Sequence, residues 1–492
     1  MSSLVILSCI VLYFLMLIFI AYFTGKNANS ASYFVGNKQS LWFVVAFGLI
    51  GDSLSGITYI SVPGSVKAAN FNYFQMVLGY VIGYWTISYV LLPLYYKMEL
   101  TSIYTYLKNR IGPVSQRTGA FFFILSRVIG AGARLFLASI VLQRFVFDAF
   151  GVPFPVTVAI IISLMLLYTY KGGIKTLVWT DMMQSTFLLS GVILSILFIA
   201  SQLNLSFGGI INSIKDSEYS QVFFWDWKAK NYFWKQFLGG AFIAICMTGL
   251  DQNMMQKNLS CKTLREAQKN INAFSIIVVF VNMLFLALGA LLYIYASTRN
   301  IAVPERGDEL FPFLAFNHLG AFAGLVFVIG LTAATFNSAD SVLTTLTTSF
   351  YIDFLGKETD DAHDHKRLRI LIHIGFAVFL FLVVLLFSLL NDQSMIFTVM
   401  DIAAITYGPL LGLFAFGILT KRQPNDKFVP LISIVSAGFC CFLYLSTKSK
   451  ASWLNGYAIG QELLIINGLI TFIGLWISSN PGVKIGCKAV KH

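Results

Sequence analysis

Seven ionisable side chains fall inside apolar stretches that are long enough to cross a lipid bilayer. A charge at membrane depth is costly, so such residues usually face a binding site, a water-filled cavity or an oppositely charged partner. We therefore treat all seven as candidates for ligand binding or ion transfer, with structural ion pairing as the alternative. They are Asp52, Arg127, Arg134, Asp181, Asp251, Asp340 and Asp401.

The most polar of these stretches surrounds Asp340. Residues with side-chain oxygens, together with Ala334, recur there at spacings of three and four, which places them on one face of a helix. Such a face can join helices to each other. Carboxylate, hydroxyl and amide oxygens without His or Cys are also the donors that a hard cation prefers, so the stretch predicts a site for a small cation. The positions are Ala334, Asn337, Ser338, Ser341, Thr344, Thr345 and Thr348.

Two apolar segments are interrupted by small and polar residues. Gly-Asp-Ser-Leu-Ser-Gly at 51–56, followed by Pro63 and Gly64, interrupts one, and Thr-Gly-Leu-Asp-Gln-Asn at 248–253 interrupts the other. Each interruption opens a block of five apolar segments, so the two blocks would cross the membrane in opposite senses. Paired broken helices are typical of transporters built from inverted repeats. Small residues that only allow close helix packing are the alternative at either break alone.

Membrane-spanning helices must position these residues, because the composition is that of a membrane protein. The 492 residues are 57% hydrophobic and 11% charged, against about 25% charged in soluble domains. We expect an all-α integral membrane protein with about 13 transmembrane helices. The predicted segments are 4–24, 42–66, 74–97, 118–146, 153–170, 178–203, 233–256, 273–297, 316–350, 368–390, 394–420, 428–447 and 459–479.

Lys and Arg are concentrated at the segment ends on one side of the predicted membrane, and Lys257 is counted among them. This side is cytoplasmic by the positive-inside rule, which puts the N-terminus outside and the C-terminus in the cytoplasm. The first segment has no basic start and no small-residue cleavage site, so we expect it to be retained. The net charge of +12 then reflects topology and does not predict a nucleic-acid partner. We predict a monomeric, multi-pass protein of the cell inner (plasma) membrane, embedded in its lipid bilayer.

At these residues the chain resembles the sodium/solute symporter family, over about residues 25–425. The most specific stretch is Tyr170–Gln184, with Gly-Gly followed by Trp-Thr-Asp-x-x-Gln. The run Leu54–Pro63 is similar to the sialic acid branch, and Gly132–Phe136 is similar to the proline branch. The resemblance implies a LeuT-type five-plus-five inverted repeat. It also implies a symporter, not an enzyme, that imports a small polar organic solute with sodium by alternating access.

With the two breaks, this fold predicts a division of the chain into five regions. They are an extra N-terminal span and cytoplasmic loop (1–41), the first repeat (42–204), an extracellular loop (205–232), the second repeat (233–421), and two C-terminal spans with a cytoplasmic tail (422–492).

The resemblance further implies the positions of bound sodium. Some family members hold a second sodium ion, and its ligands fall on Asp181, Asp340 and Ser341. Without a cation the two carboxylates would repel each other, and Arg134 as a plain structural partner is the alternative. Asn337 and Asp340 stand where the family usually has hydroxyls. The sodium site that the family shares falls on Gly51, Leu54, Ala334, Asn337 and Ser338.

The solute contacts follow from the same resemblance. An Arg of the fourth span favours a carboxylate on the solute, whereas an Asp of the eleventh span favours hydroxyl or ammonium groups. The galactose branch's polar residues are absent from the third span, where Val77 is nearest, and Met247 replaces its gating Tyr. A hexose bound in that manner is therefore not expected. The candidate contacts are Ser53, Ser55, Thr58, Arg127, Arg134 and Asp401.

Three other functional classes stay open at this point. A proton-coupled symporter of the same fold would use the buried carboxylates as relays. A channel would need a continuous pore and no inverted broken helices. A membrane sensor or enzyme would need an output domain or a metal cluster, and the five His residues form no such cluster in the sequence.

Overall fold

The computed structural model describes residues 3–25, 30–357, 366–390 and 395–480, which are almost entirely helical. Two short strands, β1 (Gln423–Pro424) and β2 (Ser479–Asn480), pair antiparallel. Helices α5, α8, α11 and α15 continue into π-helical turns at Ile87–Leu91, Gln143–Phe147, Ile245–Gly249 and Phe350–Phe354. The helices are α1 (Ser3–Gly25), α2 (Ser30–Val35), α3 (Trp42–Ser53), α4 (Gly56–Ala69), α5 (Tyr73–Thr86), α6 (Leu92–Lys97), α7 (Thr105–Arg110), α8 (Pro113–Leu142), α9 (Phe154–Gln202), α10 (Phe207–Lys215), α11 (Phe233–Ala244), α12 (Gln252–Asn258), α13 (Leu264–Thr298), α14 (Gly307–Asn317), α15 (Ala321–Ser349), α16 (Lys366–Leu390), α17 (Met395–Leu419), α18 (Val429–Lys448) and α19 (Glu462–Ile477).

Most of the long helices are apolar enough to cross a membrane. Within the described residues nine helices qualify by length and composition, and two bent helix pairs bring the number to 11. Two shorter apolar helices cover Phe154–Thr169 and Glu462–Ile477. Every predicted apolar segment coincides with one of these helices or pairs. The number that cross the bilayer stays a prediction.

The first predicted break lies between α3 and α4, whose axes differ by 57°. Leu54, with φ −99° and ψ 75°, is outside the helical region. The break is shorter than predicted, because Gly51 and Asp52 still belong to the last turn of α3. The prediction that Pro63 and Gly64 extend the interruption is wrong, since both lie inside α4. Neighbouring membrane helices commonly compensate a proline in this way.

The second predicted break separates α11 and its π-helical turn from α12, with a bend of 68°. Asp251 caps α12 by accepting a hydrogen bond from the Met254 N–H at 3.1 Å. Helix α12 then continues past the predicted segment end and buries Lys257, which is 1% exposed. The interpretation of Lys257 as a loop charge is therefore wrong, because α12 packs against α3 and α15 and carries the lysine into the interior.

A glycine kink divides α9 into the two spans that the sequence predicts. Gly173 has φ 52° and ψ −144°, a backbone conformation that only glycine adopts readily. A Cβ atom at this position would also lie 2.5 Å from the backbone of Tyr33. The Gly-Gly pair of the family-like stretch thus marks a sharp change of direction.

Helices α5 and α11 approach each other more closely than side chains would allow. A Cβ atom on Gly79 would lie 1.9 Å from the carbonyl oxygen of Phe237. In the opposite direction, a Cβ atom on Gly240 would lie 2.1 Å from the carbonyl oxygen of Met76. Small residues on both helices therefore bring the two backbones into direct contact, as is common between membrane helices.

Candidate functional site

The polar interior of the protein lies where the two broken helices meet α9 and α15. Helix α3 packs on both α9 and α15, and α12 packs on α3, α9 and α15. The oxygen-rich face predicted around Asp340 is fully buried against these helices. The candidate cation residues are therefore brought together by four helices from both repeats.

The residues of the predicted shared sodium site meet at the first break. A Cβ atom on Gly51 would lie 2.4 Å from Nδ2 of Asn337, so the α3 backbone touches this side chain directly. Further along, a Cβ atom on Gly56 would lie 2.3 Å from Oγ1 of Thr335. Leu54 lies between Gly51 and Gly56 in the chain, so the non-helical segment is flanked by two contacts with the part of α15 that also carries Ala334 and Ser338.

Several oxygens at the first break accept no hydrogen bond, and a bound cation would supply the missing partner. Gly51 is in the last turn of α3, where carbonyl groups have no donor within the helix. Among the described residues, the carbonyl groups of Gly51 and Leu54 also accept no backbone hydrogen bond from outside the helix. Asn337 donates from Nδ2 to the carbonyl of Asp181 at 3.1 Å. Its Oδ1 is buried without a hydrogen-bond partner in the described part of the chain. An oxygen-only set with an orphaned buried acceptor fits a sodium ion.

The predicted second cation position contains a lysine that sequence reasoning missed. The Nζ atom of Lys257 lies 2.6 Å from Oδ2 of Asp181 and 2.8 Å from Oδ2 of Asp52. It also donates a hydrogen bond to Oγ of Ser341 at 2.7 Å. Asp340 lies beside this cluster, because its Oδ1 accepts a hydrogen bond from the Ser341 hydroxyl at 3.2 Å.

A sequence signal for Lys257 exists in the spacing of α12. Asn253 and Lys257 are four residues apart and therefore share a face of the helix. Both donate to Asp52, with Nδ2 of Asn253 at 3.1 Å from Oδ2. The pair Asn253 and Lys257, directly after the second break, would have indicated that this face of α12 is polar and buried.

A cavity beside the first break collects most of the predicted solute contacts. Ser53, Ser55 and Thr58 line it from the break and from α4, and Arg127 and Arg134 line it from α8. Tyrosines of α5, residues of α11 and its π-helical turn, and two residues of α17 also line it. These further lining residues include Asp52, Tyr73, Tyr80, Tyr84, Ile243, Ala244, Met247, Val399 and Met400.

The two arginines of this cavity differ in their partners. Nε of Arg127 forms an ion pair with Oδ2 of Asp251 at 2.5 Å, and Tyr407 donates to the same carboxylate oxygen at 2.6 Å. Arg134 is 7% exposed and forms no ion pair with a described acidic residue. Arg127 is thus neutralised by the protein, whereas Arg134 presents an uncompensated charge to the cavity.

Asp401 lies apart from the other predicted solute contacts. It does not line the cavity described above, although its neighbours Val399 and Met400 do. Its Oδ2 pairs with Nζ of Lys230 at 3.1 Å, from the loop between the two repeats. The structure therefore gives Asp401 a protein partner and leaves its contact with a solute a prediction.

Comparison with known proteins assigns this architecture to a family. A family model described as the sodium:solute symporter family matches residues 33–426. The chain belongs to this family. Membership confirms that it is a sodium-coupled membrane transporter and not an enzyme.

This symporter is similar to carriers of organic acids. It is 23% identical over 483 residues to the sodium/sialic acid symporter SiaT of Proteus mirabilis, an alignment that covers 93% of this chain and 92% of that protein. It is 26% identical over 422 residues to the sodium-coupled monocarboxylate transporter 2 of Danio rerio, with 82% of this chain and 65% of that protein covered.

Solved structures confirm the predicted fold class. A substrate-bound, outward-open Na⁺-coupled sialic acid symporter superposes with a TM-score of 0.81 at 18% identity, covering 96% of this chain and 98% of that one. Mhp1, a nucleobase-cation-symport-1 family transporter, superposes with a TM-score of 0.59 at 13% identity, covering 91% and 94%. The symporter thus shares the inverted-repeat fold with two broken helices.

Proposed function

We propose that this symporter imports a small organic solute that bears a carboxylate, together with sodium, by alternating access. The observation that supports the proposal is Arg134, a buried cation that faces the cavity without an acidic partner among the described residues. A buried charge is normally paired. A carboxylate on the solute supplies the missing partner.

The guanidinium group of Arg134 suits a carboxylate because its planar N–H groups can donate two parallel hydrogen bonds. Ser53, Ser55 and Thr58 would bind hydroxyl or carbonyl groups of the same solute from the opposite side of the cavity. The names of the two relatives compared above, a sialic acid symporter and a monocarboxylate transporter, both describe acidic solutes. Arg127 would help to hold the solute in place, but its charge is already balanced by Asp251.

Sodium and solute would be coupled through the first break. The proposed sodium ligands are the carbonyl groups of Gly51 and Leu54 with Ala334, Asn337 and Ser338 of α15. The hydroxyl groups of Ser53 and Ser55 lie on either side of Leu54 in the chain, at the end of α3 and in the break, so each ligand would order the backbone that the other needs. Binding of one would therefore increase the affinity for the other by the same factor in both directions.

The orientation of the transporter follows from its charged loops. Because Lys and Arg are concentrated on one side, we infer an extracellular N-terminus and a cytoplasmic C-terminus in the plasma membrane. The sodium gradient would then drive the solute into the cell. Extracellular protease or antibody access to a tag placed before Ser3, and none to a tag at the C-terminus, would test this topology.

Uptake into proteoliposomes tests the coupling and the solute class together. Purified protein would be given an inward sodium gradient and a panel of labelled solutes, each acid paired with its amide or alcohol analogue. We expect uptake of an acid and at least a tenfold lower rate for its neutral analogue, a loss of one charge-assisted contact. Replacement of sodium by choline or potassium should abolish the uptake.

Two outcomes would contradict the proposal. Full uptake in choline under a proton gradient alone would establish the proton-coupled alternative. Equal uptake of an acid and its neutral analogue would refute the carboxylate. The matched control for any substitution of Arg134 is Arg117→Gln. It removes an exposed arginine from the same helix, α8, and should leave the preference for acids unchanged.

A further inference from the structure

We propose that the ammonium group of Lys257 replaces the second sodium ion, so that this symporter binds one sodium ion per transport cycle. The inference rests on the proposed function above, because it concerns the stoichiometry of that coupling. It departs from the second sodium site that the resemblance predicts at Asp181, Asp340 and Ser341.

The Lys257 ammonium group lies where a second sodium ion would bind. Nζ of Lys257 is 2.6 Å from Oδ2 of Asp181 and 2.7 Å from Oγ of Ser341, two of the oxygens that a second sodium would need. A sodium ion, similar in radius to Ca²⁺, takes oxygen ligands at roughly 2.3–2.6 Å. An ion bonded to these two oxygens would overlap the ammonium group or stand directly beside its charge. The two cations are therefore mutually exclusive.

The Lys257 ammonium group also separates two buried carboxylates. Asp52 and Asp181 are both fully enclosed, and each lies within 2.8 Å of the same ammonium nitrogen. Two carboxylates this close repel each other unless a cation or a proton intervenes. Lys257 supplies that cation from within the protein. Between Asp52 and Asp181 the cluster thus holds the positive charge that a second sodium would otherwise bring, and the neighbouring Asp340 accepts a hydrogen bond from the Tyr168 hydroxyl at 2.8 Å.

Helix α12 holds Lys257 firmly in this position. Helix α12 is fixed at its start by Asp251, which accepts from the Met254 N–H and pairs with Arg127. In the same first turn, Asn253 donates to Asp52 and accepts from Oγ1 of Thr345 at 3.2 Å. In the second turn, Gln256 donates to the carbonyl group of Phe34 at 2.6 Å, so Lys257 reaches the cluster along a short helix that is bound at both of its turns.

The consequence is a change in the energetics of uptake. The ammonium group of Lys257 is part of the protein and is not transported down the sodium gradient. Only the sodium ion at the shared site therefore couples the gradient to the solute. With a tenfold sodium gradient and no membrane potential, one sodium ion drives an accumulation of about tenfold, and two would drive about a hundredfold. One sodium ion with one monocarboxylate also moves no net charge, so the membrane potential should not change the accumulation of a monoanion.

The experiment is equilibrium binding of ²²Na⁺ to the purified transporter, in the absence of solute. We expect the wild type to bind about one ion per protein with a Hill slope near one. Lys257→Ala should vacate the second position, so the number bound should rise to about two. Asp181→Asn in the Lys257→Ala background should return it to about one, because the second position then lacks a carboxylate. These expectations follow from the pairing of oppositely charged groups in a buried site.

Lys235→Ala is the matched control, since it removes another enclosed lysine of the second repeat, paired with Glu462 at 3.7 Å. Its binding should stay at one ion per protein. A Lys257→Ala variant that is monodisperse and still binds only one sodium ion would overturn the inference and reduce Lys257 to a structural ion pair. Two ions bound by the wild type would overturn it as well.

If Lys257→Ala does not fold, the wild type alone decides the question. The ratio of ²²Na⁺ to solute taken up by proteoliposomes should be about one, and the accumulation of a monoanion should not respond to an imposed potential. A ratio of two would overturn the inference and leave sodium coupling intact. A wild type that binds no sodium at all would overturn the proposed function too, so the two failures are distinguishable.

Discussion

Substitution by Gln should weaken solute binding at Arg134 and folding at Arg127, although the two arginines lie two turns apart on α8 and line the same cavity. Arg134→Gln removes a charge that no described acidic group balances, so folding should be little affected. Solute binding should lose one charge-assisted contact, about 1.5–3 kcal/mol. This corresponds to a roughly 10- to 150-fold increase in the Kd for the acid.

Arg127→Gln should instead weaken the fold. It leaves the carboxylate of Asp251 buried and without its cation, and breaking a buried ion pair typically costs about 3–5 kcal/mol. Two hydrogen bonds to this carboxylate survive, from Tyr407 and from the Met254 N–H. We therefore expect a loss at the lower end, about 3 kcal/mol. Solute affinity of the protein that remains folded should change much less than in Arg134→Gln.

The assay measures both quantities on the same preparations. Solute Kd is obtained by calorimetry in detergent with saturating sodium, and stability by the midpoint of thermal unfolding followed by tryptophan fluorescence. The reasoning predicts weak binding with a normal midpoint for Arg134→Gln, and a lowered midpoint with near-normal binding for Arg127→Gln. If Arg134→Gln loses stability and Arg127→Gln loses affinity, the assignment of the two arginines is reversed and the reasoning fails.

Three further substitutions test other parts of the structure. Asn337→Ala removes an orphaned buried oxygen from the shared sodium site, and the sodium concentration for half-maximal uptake should rise about tenfold, the effect of one charge-assisted contact; an unchanged sodium dependence would argue against the site. Asp401→Asn breaks a partly exposed ion pair with Lys230, worth at most about 1 kcal/mol, so the solute Kd should change less than about fivefold; a larger change would restore Asp401 as a solute contact. Gly79→Ala places a methyl group against the α11 backbone and should cost about 1–3 kcal/mol in thermal-unfolding experiments, whereas Gly130→Ala, with open space at its Cβ, should be tolerated; equal midpoints for the two variants would contradict the close packing of α5 and α11.

The elements of this fold could be predicted because apolar length and local breakers act over short stretches of sequence. The segment containing Leu54 is interrupted by its own Gly, Ser and Asp neighbours, and the α9 kink is marked by Gly173. Pro63 misled the prediction, because neighbouring helices decide whether a proline interrupts a membrane helix.

Charged pairs could not be assigned in this way, because their partners come from distant parts of the chain. Arg127 and Arg134 are equivalent on α8, and only Asp251 of the second repeat distinguishes them. In the sequence, a buried lysine at the end of an apolar segment looks the same as a loop lysine that sets the orientation of the protein in the membrane. Lys257 becomes an interior residue only when α12 folds against α3, α9 and α15.

The backbone contact between α5 and α11 limits how the solute cavity can open. Tyr73, Tyr80 and Tyr84 line the cavity from α5, and Ile243 and Ala244 line it from α11. Since the backbones of these two helices touch at Gly79 and Gly240, the helices should move together, and the cavity should open along their boundary with α8. A solute that binds Arg134 of α8 and also contacts the tyrosine hydroxyls of α5 would then act as a noncovalent crosslink across that boundary, and its strength would set which conformation is populated.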